Sequence, residues 1–157
     1  MKVEFFFEKN ASLLTDLNAT VHTSHQQRRP DVFRPYDREK FFPWFVQFLS
    51  KENTLCIFVK VEGKAIGYAL ITHRKPGRNP FVNPTFESWY IDQMSILEEF
   101  QNKGIGGQLI QFIKENASQR GINNLQLDVW SDNELAHHLY QKQGFNTIRQ
   151  IMEYKMP

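Results

Sequence analysis

Gly104, Gly106 and Gly107 stand at the mouth of the stretch GIGGQLIQFIKEN, whose apolar residues are spaced as on one face of a helix. Each glycine inside a helix costs roughly 1 kcal/mol against alanine. A helix N-terminus leaves its first N–H groups unpaired and carries about +0.5 of an elementary charge. Stripping side chains from that end lets an anion approach the backbone, and a pyrophosphate is the obvious flat, negative candidate. A tight turn that needs glycine conformations would use the same residues. The glycines alone leave both readings open. Two common phosphate loops do not fit. The P-loop pattern GxxxxGK followed by Ser or Thr is absent, and GxGxxG would need a third glycine where the chain has Leu109.

Other side chains with intrinsic reactivity are poorly supported. The single cysteine, Cys56, sits in the apolar run TLCIFV and has no partner for an internal disulfide. It reads as a small buried hydrophobe in a reducing compartment, so a cytoplasmic location is expected. No GxSxG elbow is present. His22, His25, His73, His137 and His138 form no metal-binding pattern with carboxylates or thiols, so no metal is expected.

These residues need a scaffold, and the chain is long enough to build one. Its 157 residues, 41% hydrophobic and with 14 Phe, suit one domain spanning 1–157 with a real core. A net charge of +2 is too balanced to argue for a nucleic-acid partner. The basic clusters QQRRP and HRKPGR read first as solvated charge. No apolar run approaches the roughly 18 residues of a membrane span, so no membrane partner is expected. The opening MKVEFFFEKN lacks the long apolar region and cleavage site of a secretory signal.

KVEFFFE reads as a first strand, and NASLLTDLNATVHTSHQQ as a helix with Leu13, Leu14, Leu17 and Val21 on one face. RRPDVFRPYD is a loop broken by prolines. REKFFPWFVQFLSKEN is a second helix, with Pro43 near its start. TLCIFVKVEGKAIGYALITHRK reads as a hairpin turning at EGK, and PGRNPFVNP as a loop. TFESWYIDQMSIL is a long strand that runs into the glycine stretch. The third helix ends at Gly121. NNLQLDVW is a strand. SDNELAHHLYQKQ is a fourth helix, with Ser131 or Asp132 a natural N-cap and Gly144 its end. FNTIRQIMEYKM reads as a final strand pair or one bent strand. Strands and helices mix without strict alternation, which favours a mixed sheet with helices on its faces.

QNKGIG fits the signature Arg/Gln-x-x-Gly-x-Gly/Ala, and the chain from about Trp89 to Phe145 resembles the GNAT N-acetyltransferase superfamily. Its flanks MSILEEFQNKGIGGQLI and LDVWSDNELAHHLYQKQGF carry the likeness, and together they are specific where the six-residue signature alone is weak. The N-terminal third matches only in element order. The resemblance implies a mixed α+β fold, with a central, mostly antiparallel, twisted sheet of about six to seven strands flanked by about four helices. It implies acetyl-CoA as co-substrate. The backbone of Gln101, Asn102, Lys103, Gly104, Ile105, Gly106 and Gly107 would then hold the pyrophosphate. Met94, Ser95 and Ile96 would pair through backbone groups with the pantetheine arm, and Asn133 would lie near it.

By the same resemblance Tyr140, two helical turns beyond Asn133, would protonate the departing thiolate. A phenol with a pKa near 10 keeps its proton at pH 7 and can do so. The acceptor poses a separate problem. A lysine-like amine has a pKa near 10.4, so freeing its lone pair at pH 7 costs roughly 4–5 kcal/mol. A base must help. Asp92 matches a position where some polyamine-type relatives carry glutamate, and Glu87 lies further out on the same strand. Both also read as ordinary polar strand residues. His22, His25, Phe33 and Tyr36 fall in the segment that usually covers the acceptor site in this fold and would line the acceptor pocket, although the two histidines also read as ordinary structural residues. The implied activity is acetyl transfer to the primary amine of a small molecule, by direct attack with both substrates bound. The alternatives are a protein N-terminal acetyltransferase of the ribosomal-protein type, which the NELAHHLYQKQGF stretch also resembles, and a non-catalytic acyl-CoA sensor. Relatives also suggest a homodimer through the C-terminal strands, for which TIRQIMEYKM is apolar enough.

Overall fold

The computed structural model describes residues 1–157. Five strands form one sheet in the order β1-β2-β3-β4-β5. They are β1 (Val3–Phe7), β2 (Thr54–Val61), β3 (Lys64–Arg74), β4 (Ser88–Ile96) and β5 (Leu125–Leu127). Neighbours pair antiparallel except β4 and β5, which run parallel. The β2–β3 hairpin turns at Glu62 and Gly63, both with positive φ, as a two-residue loop that follows the sheet's twist requires.

Helices α1 (Ala11–Arg28) and α2 (Arg38–Leu49) cover one face, and α3 (Ile105–Gln119) covers the other. Asn10 and Asp37 cap α1 and α2 by accepting the N–H groups of Leu13 and Lys40. Pro43 falls in the second turn of α2, deeper than the sequence suggests, so the Glu39 carbonyl loses its helical donor. On the first face Leu14, Leu17, Phe45 and Leu49 pack against Cys56, Phe58, Tyr68 and Leu70. On the second, Ile105, Leu109 and Ile113 pack against Ile57, Ala69, Ile71, Trp89 and Ile91. Burying one such aliphatic side chain stabilises by about 1.5–3 kcal/mol. The apolar stripe of α3 therefore outweighs the glycines at its mouth.

Mid-strand, β4 carries one extra residue. Gln93 pairs with Leu70 and Ile91 with Ile71, which leaves Asp92 unmatched. Such a bulge turns two consecutive side chains to one side. Trp89 and Ile91 before it, and Met94 and Ile96 after it, all join the α3 core. Asp92 and Gln93 both face α1. Gln93 accepts from Tyr68 (2.9 Å) and Asn18 (3.2 Å), and Asp92 accepts from Thr72 (2.6 Å).

Two expectations are corrected. The sheet has five strands rather than six to seven, and residues 146–157 form no strand pair. A strand needs a ladder partner, and none lies beside this segment. It is held instead by ion pairs from Glu153 to Arg29 and from Lys155 to Asp31. Helix α4 (Glu134–Lys142) is capped by Asn133, not Ser131 or Asp132, through its side chain and the Ala136 N–H. No helix is long and apolar enough to cross a membrane.

Candidate active site

The strands β4 and β5 pair only at Trp89–Leu125, Tyr90–Gln126 and Ile91–Leu127. Beyond that point they part. From Asp92 to Ile96, β4 keeps β3 on one side and has no strand on the other. Met94, Ser95 and Ile96 lie on this open edge, and Ser95 is buried. An open backbone edge inside a sheet can accept an extended amide-bearing chain as if it were a strand.

The edge leads into the glycine loop. A 3-10 turn at Glu98–Phe100 follows β4, and the Gln101 side-chain amide donates back to the Ile96 carbonyl at 2.8 Å. Asn102 and Gly104 take positive φ (59° and 78°), with Gly104 the N-cap of α3. The first helical bond runs from Gln108 N–H to the Gly104 carbonyl. Every N–H from Asn102 through Gly107 is left without a backbone acceptor. Asn102, Lys103 and Gly104 are exposed, and a Cβ on Gly104 would meet nothing within 4 Å. Successive free N–H groups at a helix start suit a diphosphate. The pyrophosphate and pantetheine arm of coenzyme A thus fit the groups present.

The three glycines have different reasons. Gly104 supplies the left-handed turn. Gly106 and Gly107 face α4. A Cβ there would lie 3.2 Å from Leu139 and 3.0 Å from Gln143, respectively. Their smallness seats α4 against the glycine loop. Tyr140 follows Leu139 in that helix. Its ring meets Phe145 edge-on at 5.7 Å, and its hydroxyl makes no hydrogen bond within the chain. Burial pushes its pKa up to about 12, so the phenol keeps its proton through the neutral range.

Asp92 lies at the parting point, three-quarters buried at its side chain, with the Arg74 guanidinium 3.7 Å away. Burial raises its pKa, against the opposing pull of the Thr72 hydrogen bond and Arg74. Glu87 is not brought there. It precedes β4, at the end remote from the glycine loop, and pairs with His73 at 2.8 Å and Lys75 at 4.0 Å.

His22, His25, Phe33 and Tyr36 form one aromatic cluster where α1 meets the α1–α2 link. His25 stacks on Phe33 at 5.3 Å, and His22 packs against Phe33, Tyr36 and Phe41. His22 Nε2 lies 2.6 Å from the Arg34 carbonyl, and the Tyr36 hydroxyl donates to the Thr15 carbonyl at 2.8 Å. The Nδ1 of His25 is buried without a partner, and burial lowers the pKa of the ring. The cluster reaches the end of β5 through Phe33, which meets Trp130 edge-on at 5.8 Å. Arg28 also pairs with Asp132 at 3.5 Å. The α1–α2 link is thereby fastened to the segment that begins α4.

Sequence reasoning missed Tyr90, Asp128, Arg74, Thr72 and Trp130. Alternation in LDVW was the only signal for Asp128 and Trp130, since it sets both opposite Val129. The polar contacts of the other three depend on strand register.

The chain matches the model of the acetyltransferase (GNAT) family over residues 18–145 and belongs to that family. An uncharacterized N-acetyltransferase encoded in the pepI 3′ region of Lactobacillus delbrueckii subsp. lactis is 32% identical over 96 residues, 61% of this chain and 54% of that protein. The uncharacterized N-acetyltransferase YdgE of Bacillus subtilis is 36% identical over 56 residues, 36% of each chain. The chain thus spans about half the length of the first of these relatives, and less of the second. The fold matches a BH1408 variant from Bacillus halodurans with a TM-score of 0.87, at 22% identity over 99% of this chain and 100% of that one. It matches the aminoglycoside acetyltransferase AAC(6')-Iy, solved with a CoA bisubstrate analog, with a TM-score of 0.72, at 15% identity over 100% and 99% of the two chains. At these identities the structural matches speak to the fold.

Proposed function

We propose that the protein transfers an acetyl group from acetyl-CoA to the primary amine of a small molecule, with both substrates bound together. The observation that carries this reading is the continuity of the open β4 edge with the free N–H groups of Asn102 to Gly107. Acetyl-CoA supplies the activated acetyl group. The chain supplies binding, orientation and proton handling. The loop from Gln101 to Gly107 holds the pyrophosphate, and Met94 to Ile96 line the arm and offer backbone donors to the carbonyl as negative charge develops. Asn133 acts through the α4 cap, fixing the helix that carries Tyr140.

Asp92 takes the proton of the incoming amine, and its raised pKa makes it a better base than an ordinary aspartate. The N–C bond forms as the C–S bond breaks, and Tyr140 gives its proton to the leaving sulfur. Glu87 is a weaker candidate for the base because His73 and Lys75 already occupy it. His22, His25, Phe33 and Tyr36 roof the acceptor side. The fold likeness to an aminoglycoside acetyltransferase supports a small-molecule acceptor. We place the protein in the cytoplasm, as one domain without metal, and expect the apolar, exposed Ile148, Ile151, Met152 and Tyr154 to contribute to a homodimer.

The test is thiol release from acetyl-CoA across pools of polyamines, aryl-alkylamines, amino acids, aminoglycosides and short peptides, with CoA thermal shift as control. Release with one small-amine pool is expected. Release only with peptides would move the assignment to a protein acetyltransferase. A thermal shift without any release would favour a sensor.

A further inference from the structure

Asp92 and Asp128 are the first residues past the last β4–β5 pair, Ile91–Leu127. They therefore face each other across the mouth of the gap where the thioester lies in the reading above, on which this inference rests. Each is held by a neutral donor on the sheet. Tyr90 donates to Asp128, and Thr72 donates to Asp92. The two differ in exposure. Asp92 is mostly buried at its side chain, whereas Asp128 is exposed.

The charges at this point do not balance. Arg74 is the one cation in reach, its guanidinium 3.3 Å over the Tyr90 ring and 3.7 Å from Asp92. Lys75 and His73 are turned to Glu87, Arg28 to Asp132, and Arg29 to Asp31 and Glu153. Arg74 pairs with Asp92 and no ion pair reaches Asp128, which leaves room there for one further positive charge. The open β4 edge puts that vacancy beside the acetyl donor rather than on an unrelated surface. Trp130, two residues beyond Asp128, and Phe33 against it supply an apolar wall on the same side.

We propose that Asp128 receives the acceptor's ammonium group and hands it on to Asp92, which removes its proton. Asp128 is the acceptor-binding residue and Asp92 the base. The proton moves from nitrogen to the Asp92 carboxylate, and the freed lone pair forms the bond to the acetyl carbon. The neighbouring negative charge of Asp128 helps Asp92 to hold that proton. The pair selects aliphatic amines, which arrive protonated, over arylamines, which arrive neutral and gain nothing from it.

The test compares wild type with Asp128→Asn, which keeps an acceptor for Tyr90. It uses whichever of spermidine, phenethylamine or tobramycin gives thiol release, with p-anisidine as the neutral comparison. Asp128→Asn should raise the KM of the aliphatic amine at least tenfold, lower kcat as well because Asp92 loses a neighbouring charge, and leave the KM of acetyl-CoA unaltered. An unchanged amine KM would overturn the proposal, as would an equal rise for p-anisidine. A second measurement separates this proposal from the transferase reading. Phenethylamine is titrated into the CoA-bound protein while carboxyl resonances are followed by NMR. A saturable shift at Asp128 without thiol release from any amine would sustain the ammonium site and sink the transferase. No shift at Asp128 would overturn the site.

Discussion

The side chain of Gln101 donates to the carbonyl of Ile96 at 2.8 Å, tying the glycine loop back onto the last residue of β4. This bond adds to the backbone turns at Phe100 and Gln101 that join the open strand edge to the free N–H groups. Gln101→Ala removes it. The loss of a bond worth about 1 kcal/mol should weaken CoA binding by several-fold while the fold persists. Calorimetric titration with CoA checks this. An unaltered Kd would show that the loop is held by its backbone turns alone.

Tyr140→Phe keeps the ring against Phe145 and removes only the hydroxyl proposed as the acid. A fall in kcat of at least tenfold is expected, because positioned acid catalysis contributes about 100-fold or more. CoA affinity should stay within twofold. The wild-type pKa near 12 also means that loss of the Tyr140 proton produces no alkaline decline below about pH 10. An alkaline limb near pH 8 that vanishes in the phenylalanine variant would contradict this.

Asp92 links activity and stability with opposite signs. As a base it must be ionised, so kcat/KM should fall as pH drops through its raised pKa. Its folded pKa lies above the unfolded one, so in that window the native state binds more protons. Stability contributed by the protonated form is then lost as pH rises through the window. Asp92→Asn should therefore melt higher than wild type at pH 7, with the gap closing below about pH 3.9. Melting curves at pH 3 and pH 7, set beside the rates, test both signs. A lower Tm at pH 7 would mean that Thr72 and Arg74 outweigh burial.

Gly67→Ala is expected to be among the most damaging of the small substitutions. A Cβ there would press into the Ser95 carbonyl and the Ile96 side chain. Backbone cannot yield as a side-chain tip can, so overpacking of about 1–3 kcal/mol is expected. Gly106→Ala meets only the tip of Leu139 and should cost less. Denaturant midpoints of the two variants give the comparison, and a reversed order would refute it.

Much of the fold was legible because it is local. The α3 stripe, the turn before it and the α4 end at Gly144 each depend on residues within a few positions. The site was legible in its loop for the same reason. The place of Asp128 beside Tyr90 was not, because it depends on the register between β4 and β5. The C-terminal segment misled because alternating apolar residues announce a strand only if an edge is there to take it. Asn133 displaced Ser131 as N-cap because the chain turns once more, at Trp130 to Asn133, before the helix begins.

Arg29 bonds both Asp31 and Glu153, and with the Lys155–Asp31 pair it joins the α1–α2 link to the C-terminal segment. Arg29→Ala should leave the core intact and make cleavage within 146–157 faster under limited proteolysis. Equal cleavage rates would place the restraint elsewhere, at Lys155 and Asp31.

The extra residue in β4 has an arithmetic side. Before it the odd-numbered side chains, Trp89 and Ile91, point into the α3 core; after it the even-numbered ones, Met94 and Ile96, do so. Remove Asp92 and the alternation runs unbroken from Trp89 to Ile96, with every core residue still facing inward. Asp92 is thus the residue that the strand's core-facing alternation does not need, and in the proposed reaction it is the one that takes the proton.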